Sequence, residues 1–237
     1  MALHKENLIQ SLVKGEAPKG FSFILSGSPG VGKTIFASNV FGEQLRRGVK
    51  CLYVALERPI ESFLDQLQTL GYSVDKSQIV FVDAYSWRIG GGSGAKYYLR
   101  NLSNLNELSV KILMALNDVG REGFYLIDSL SNLATYNTEK EILHFFGVNS
   151  ARLKSNLSTG IWIVEEGTHA PSFYNMLNHL ADGVLEMKLV DSGNDLYRRI
   201  RAHTLRGMSN SMRWLDIDIS SIGRITLRGA NDEEEKR

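Results

Sequence analysis

The chain has 237 residues, a formal net charge of +1, 43% hydrophobic and 22% charged residues, and one cysteine. The near-zero charge excludes a global basic field for holding nucleic acid, and a single cysteine excludes a disulfide framework within the chain. No apolar run is long enough to span a bilayer and the first residues lack a signal-peptide h-region, so the expectation is one cytoplasmic α/β domain over residues 1–230, with a charged tail at 231–237.

In chain order, Lys14–Gly20 reads as the turn that delivers a first buried strand, Phe21–Leu25. Gly27-Ser28-Pro29-Gly30-Val31-Gly32-Lys33-Thr34 follows, and a helix is predicted from Thr34 to Arg46. This fits the phosphate-loop pattern G-x-x-x-x-G-K-[ST] in the strand–helix context that the chemistry requires. Glycines let the backbone wrap a phosphate with its N–H groups turned inward, and the helix N-terminus adds partial positive charge. Lys33 would reach the β- and γ-phosphates, and the Thr34 hydroxyl would ligate Mg²⁺.

A second strand is predicted from Lys50 to Leu56, closed by Glu57. Arg58-Pro59-Ile60-Glu61 opens a helix that stops at Gly71. In an open α/β sheet, ligands sit at strand C-terminal ends, so Glu57 is either a base for a water attacking the γ-phosphate or a surface residue at a helix start. Ile79–Val82 is a third strand ending at Asp83. Residues 84–103 break the rhythm with a Gly-rich, mobile stretch. Asn104 with Glu107 resembles a capping box before a helix to about Val119.

Phe124–Asp128 is an apolar strand ending in an acid, the Walker B pattern, which places Asp128 to hold Mg²⁺ through water near Thr34. Thr138 with Glu141 forms a second capping box, opening a helix to about Asn156. Ile161–Val164 is the fifth core strand. Of Glu165 and Glu166 after it, one is either a γ-phosphate sensor or a salt-bridge partner, because two bare carboxylates beside a triphosphate would repel it. His169 and His179 show no metal-ligand spacing and read as structural or surface residues.

After residue 183 the pattern changes to consecutive strands at Val184–Leu189, Leu196–Thr204, Met212–Ile219 and Arg224–Leu227, with the first turn at Asp191–Asp195. The predicted fold is therefore α/β: a mostly parallel sheet flanked by helices, with C-terminal antiparallel strands. The basic segment from Arg198 to Gly207 has three readings: a solvated edge strand, an arginine given to a neighbouring subunit's γ-phosphate, or a nucleic-acid strip.

These segments together resemble the KaiC-like family of RecA-superfamily ATPases, in its single-domain archaeal and bacterial form, over about residues 15–228. The resemblance rests on Gly27–Thr34, Leu52–Glu57, Leu126–Ser129, Leu180–Val184 and Leu205–Ser209, with Ile217 and Ile222-Gly223 following. It implies a RecA-like phosphate-loop NTPase core with ATP and Mg²⁺ bound at the subunit interfaces of a homo-oligomeric ring, usually a hexamer. Glu57 matches the first of the family's two adjacent acids, one of which is the catalytic base. Arg206 matches the arginine of the K-x-R-G element, which reaches ATP in the next subunit. Four departures stand out: Arg58 at the second acid, Thr204 at the lysine of K-x-R-G, the acidic pair Glu165-Glu166 at the polar sensor, and a shortened Gly-Gly-Ile-Pro entry. ATP binding is compatible with all four, whereas fast hydrolysis does not follow from a site short of a transition-state cation. The resulting expectation is a slowly hydrolysing ring ATPase with a regulatory role and a possible regulatory protein partner. A non-catalytic ATP-binding scaffold is the alternative, and a single-stranded DNA binder is less favoured.

Overall fold

A computed structural model describes residues 7–13, 18–90, 93–193, 195–208 and 212–229. The start of the expected entry turn, two glycines of the 84–103 stretch, Asn194, Ser209 and the charged tail lie outside the described residues. One ten-stranded sheet organises the rest, in the order β10-β9-β8-β7-β1-β6-β5-β2-β3-β4. β1 (Ser22–Gly27), β2 (Cys51–Ala55), β3 (Ile79–Asp83), β4 (Tyr97–Tyr98), β5 (Phe124–Asp128), β6 (Thr159–Glu165) and β7 (Gly183–Ser192) pair in parallel. β8 (Asp195–Leu205), β9 (Leu215–Ile219) and β10 (Ile225–Gly229) extend the sheet antiparallel from β7. The predicted RecA-like architecture is what the chain adopts.

The central strands read as unbroken apolar runs because helices cover both faces. Phe23, Leu25, Tyr53, Leu126 and Ile163 point to one face. There they meet α1 (Leu8–Val13), α2 (Lys33–Arg46) and α3 (Ile60–Thr69) through residues such as Ile9, Phe36, Phe41 and Phe63. Ile24, Leu52, Val54, Ile127 and Trp162 alternate to the other face. They meet α4 (Leu105–Val119), α5 (Glu139–Ser155) and α6 (Pro171–Leu180) through Ile112, Phe146 and Leu177. Trp162 is fully buried and donates from Nε1 to Tyr125 Oη at 3.3 Å.

The local signals hold unevenly. Thr138 and Glu141 form a complete capping box on α5, with Glu141 N donating to Thr138 Oγ1 at 3.3 Å and Thr138 N to Glu141 Oε2 at 2.8 Å. Asn104 caps α4 by accepting from Glu107 N at 3.1 Å, but no reciprocal bond completes a box among the described residues. The 84–103 segment contains ordered pieces, a 3₁₀ turn at Ser86–Ile89 and strand β4. The Asp83 carboxylate anchors it, accepting from Tyr85 N, Ser86 N, Ser86 Oγ and Ser93 Oγ at 2.6–3.0 Å. β9 begins at Leu215, later than predicted, because Met212 has a left-handed φ of 47° that interrupts extended backbone. The edge-strand reading of the basic segment is corrected in part: β9 covers Arg198, Arg199 and Ile200, whereas Arg201–Leu205 pair with β7 alone among the described residues.

Candidate functional site

The connection leaving β1 runs through α2 towards β2, while the one leaving β6 runs the other way, through α6 to β7. A crevice therefore opens at the C-terminal ends of adjacent β1 and β6, the place where ligands bind in open α/β sheets. The phosphate loop occupies it. Its backbone turns through a bond from Val31 N to Ser28 O at 3.3 Å, and Gly30 and Gly32 adopt φ of 78° and 103°, which only glycine takes without strain. Gly32 is the N-cap of α2, and among the described residues no side chain caps that end, which leaves its first N–H groups available to an anion in the loop.

Lys33 is buried, and its ammonium folds back on the loop, donating to Gly27 O at 2.8 Å and Ser28 O at 3.0 Å. It also pairs with Glu165 Oε1 at 3.1 Å. Register explains the meeting, since Gly27 lies opposite Glu165 across the β1–β6 pair. Of the two acids at the end of β6, Glu165 is thus the salt-bridge partner. Glu166 donates its N–H to Gly27 O at 3.0 Å, and burial together with the nearby Glu186 raises its carboxyl pKa. Thr34 is half-buried in the first turn of α2.

Asp128 ends β5, one strand beyond Glu165. It is 1% exposed, and neither carboxylate oxygen has a hydrogen-bond partner among the described residues. Burial pushes its pKa up to about 6; Arg58 opposes the rise, and Glu57 and Glu165 add to it. A buried carboxylate beside a phosphate loop, with one arginine for its charge, fits a divalent ion held mainly by phosphates, since no cluster of three or more acidic, histidine or cysteine ligands occurs among the described residues. Ala55 pairs with Asp128 in register, and the N–H groups of Leu56 and Glu57 both donate to Asp128 O at 3.0 Å. Glu57 is exposed at this edge. Arg58 turns inward and its Nε lies 3.5 Å from Asp128 Oδ2. Sequence reading marked Arg58 as a departure without locating its side chain.

The crevice thus gathers Lys33, Thr34, Asp128 and Glu57. It does not gather Arg206. β8 runs antiparallel, so Leu205 pairs with Gly183, which itself lies opposite Phe23 at the start of β1. Arg206 is exposed at the opposite end of the sheet from its own phosphate loop, where its Nη2 donates to His179 O at 2.6 Å. The other end of β8 approaches the loop, with the Arg198 δ-carbon 3.8 Å from where a side chain on Gly32 would begin. Arg199 and Arg201 form ion pairs with Asp216 at 2.6 Å and Glu186 at 2.7 Å.

A half-buried chain of polar contacts backs the crevice, which single-sequence reading did not reveal. Ser131 Oγ accepts from Glu165 N at 2.9 Å and meets His169 Nε2 at 3.0 Å. His169 Nδ1 lies 3.6 Å from Glu139 Oε1. Burial lowers the His169 pKa against the pull of Glu139, which leaves the ring neutral near pH 7. The structural reading of His169 agrees with this position. His179 is exposed near the end of α6. No described helix is long and apolar enough to cross a membrane.

Comparison with known proteins agrees with this geometry. A family model described as "ATPase: KaiC" matches residues 7–230. A UPF0273 protein of Thermotoga maritima is 26% identical over 91% of this chain and 90% of its own length. Another, from Pyrococcus horikoshii, is 27% identical over 92% and 90%. Among solved structures, a KaiC-like protein from Pyrococcus horikoshii superimposes with a TM-score of 0.74 at 20% identity, covering 93% of this chain and 94% of that one, which is a likeness of fold. With the family model covering nearly its whole length, the chain belongs to the KaiC ATPase family.

Proposed function

We propose that residues 1–230 form one ATPase unit that binds ATP with Mg²⁺, hydrolyses it slowly, and works in a cytoplasmic homo-oligomeric ring, usually hexameric in this family. In this reading nucleotide state is passed to a regulatory protein partner. The observation that carries it is the meeting of Lys33, Glu165, Asp128 and Glu57 at the ends of adjacent β1, β6, β5 and β2.

In this reading the loop Gly27, Ser28, Pro29, Gly30, Val31, Gly32, Lys33 and Thr34 wraps the phosphates, with backbone N–H groups supplied by its non-proline residues. Lys33 exchanges its loop carbonyls for the β- and γ-phosphate oxygens, and Glu165 gives up its hold on the ammonium. Thr34 and Asp128 would hold Mg²⁺, which would supply positive charge to offset that of the phosphates. Glu57 accepts the proton of the attacking water from its exposed place beside the strand of Asp128. Arg206 faces away from its own loop, so it can serve only the site of a neighbouring copy, where it would steady transition-state charge.

The alternative, a scaffold signalling by occupancy alone, is favoured by Arg58 at the second acid and by Thr204 exposed where the family lysine stands. Measuring phosphate release by the wild type and Glu57→Gln separates the two. Catalysis requires release above buffer that falls by about 10²-fold or more in the variant. No release from a protein that binds ATP identifies the scaffold. Nucleic-acid binding has less support, since Lys96 is paired with Asp118 at 2.6 Å and Arg88 lies over the Tyr85 and Trp87 rings.

A further inference from the structure

Arg58 is held more firmly than a surface arginine at a helix start. Its Nη1 donates to Gln66 Oε1 at 2.6 Å, its Nη2 to Ser38 Oγ at 3.4 Å, and its Nε to Tyr53 Oη at 3.3 Å. Ser38 Oγ donates to the same Gln66 oxygen at 2.9 Å, so the clamp joins α2 to α3. The guanidinium also lies 5.2 Å from the Phe63 ring centre, and that ring stacks on Tyr53 at 3.7 Å. These contacts hold one permanent positive charge in place with its Nε 3.5 Å from the buried Asp128 carboxylate.

We propose that Arg58 is a resident cation of the nucleotide site, supplying beside Asp128 part of the positive charge that a divalent ion would otherwise supply. Two consequences share one sign. A fixed cation next to Asp128 repels a second cation, which weakens the gain from Mg²⁺. The same charge attracts phosphate anions, which strengthens nucleotide binding without Mg²⁺. Nucleotide affinity is therefore less dependent on Mg²⁺ than a site built with two acids would make it. The side chain works through Asp128 and the local field, so it is a positioning residue. This inference rests on the phosphate loop binding nucleotide, as proposed above.

The test is the dissociation constant of fluorescent ADP for the full chain, measured in Mg²⁺ and in EDTA at pH 8. The ratio of the EDTA value to the Mg²⁺ value is expected to rise about fivefold or more in Arg58→Gln. Arg58→Met keeps the stem's packing on Phe63 without the charge and carries the same expectation if the glutamine variant fails to fold. Arg58→Lys keeps the charge and is expected to stay within about twofold of wild type. An unchanged or smaller ratio in the neutral variants overturns the proposal, as does a lysine variant that behaves like glutamine. Wild-type protein that binds no ADP in either medium removes the nucleotide-site reading itself. Wild-type binding with a ratio indifferent to Arg58 removes only this inference.

Discussion

Lys33 is engaged three times, by two loop carbonyls and by Glu165. Phosphate oxygens must displace those partners, so Glu165 competes with nucleotide for the ammonium. Lys33→Ala is expected to weaken ATP binding by roughly ten- to a hundredfold, because a charge-assisted bond is lost. Glu165→Gln is expected to tighten it severalfold, by removing the competing anion. Calorimetric titration of both variants checks the pair, and a glutamine variant weaker than wild type would contradict the competition. Asp128 adds a pH dependence. Its folded pKa is raised to about 6, so the proton is held more tightly in the folded protein than in the unfolded chain. Ionisation therefore costs the ligand-free fold stability as pH rises from about 4 through 6, and frees the carboxylate for a cation only above that range. Mg²⁺-dependent nucleotide binding is expected to strengthen as pH passes 6 and then level off. A profile flat from pH 5 to 8 would exclude Asp128 as a metal ligand.

At the scale of elements, Gly42 shows how packing overrides propensity. Glycine inside α2 costs about 1 kcal/mol relative to alanine in isolation. A β-carbon there would lie 2.4 Å from the Tyr72 ring, which donates from Oη to Asn39 O at 2.9 Å and carries Arg224 stacked 3.7 Å above it. Arg224 also donates to the carbonyl oxygens of Leu70 and Gly71, joining the β9–β10 hairpin to the end of α3. Gly42→Ala is thus expected to destabilise by about 1–3 kcal/mol despite its better propensity, as chemical denaturation would measure. A stabilised variant would mean that Tyr72 moves freely. The same contrast explains what was legible in the sequence. β1, β2, β5 and β6 are apolar runs, and Thr138 with Glu141 is a complete local signal, so these elements were readable residue by residue. The anchoring of residues 84–103 on Asp83 and the covering of β8 by β9 depend on how distant segments meet, and composition carries no trace of either. The site divides likewise: Gly27–Thr34 and Asp128 are local motifs, whereas the Lys33–Glu165 pair joins residues far apart in sequence, and the Arg58 clamp depends on how α2, α3 and β2 pack.

Across the whole molecule, the sheet puts the phosphate loop at one end and Arg206 at the other. One copy therefore offers a nucleotide site and, at its opposite end, an arginine with no access to that site. This division is suited to a closed ring in which each site is completed by the next copy. Arg206→Ala is expected to leave folding intact, since the exposed side chain makes its bond to the His179 carbonyl at the surface, while lowering turnover or the stability of the assembly. Wild-type behaviour in both assays would remove its role in a neighbouring site. The most direct test of the central claim is size-exclusion chromatography with light scattering, with and without Mg²⁺-ATP, assaying phosphate release in the same fractions. The expected result is a closed oligomer that holds ATP and releases phosphate slowly. A monomer that neither binds ATP nor releases phosphate under any of these conditions would contradict it.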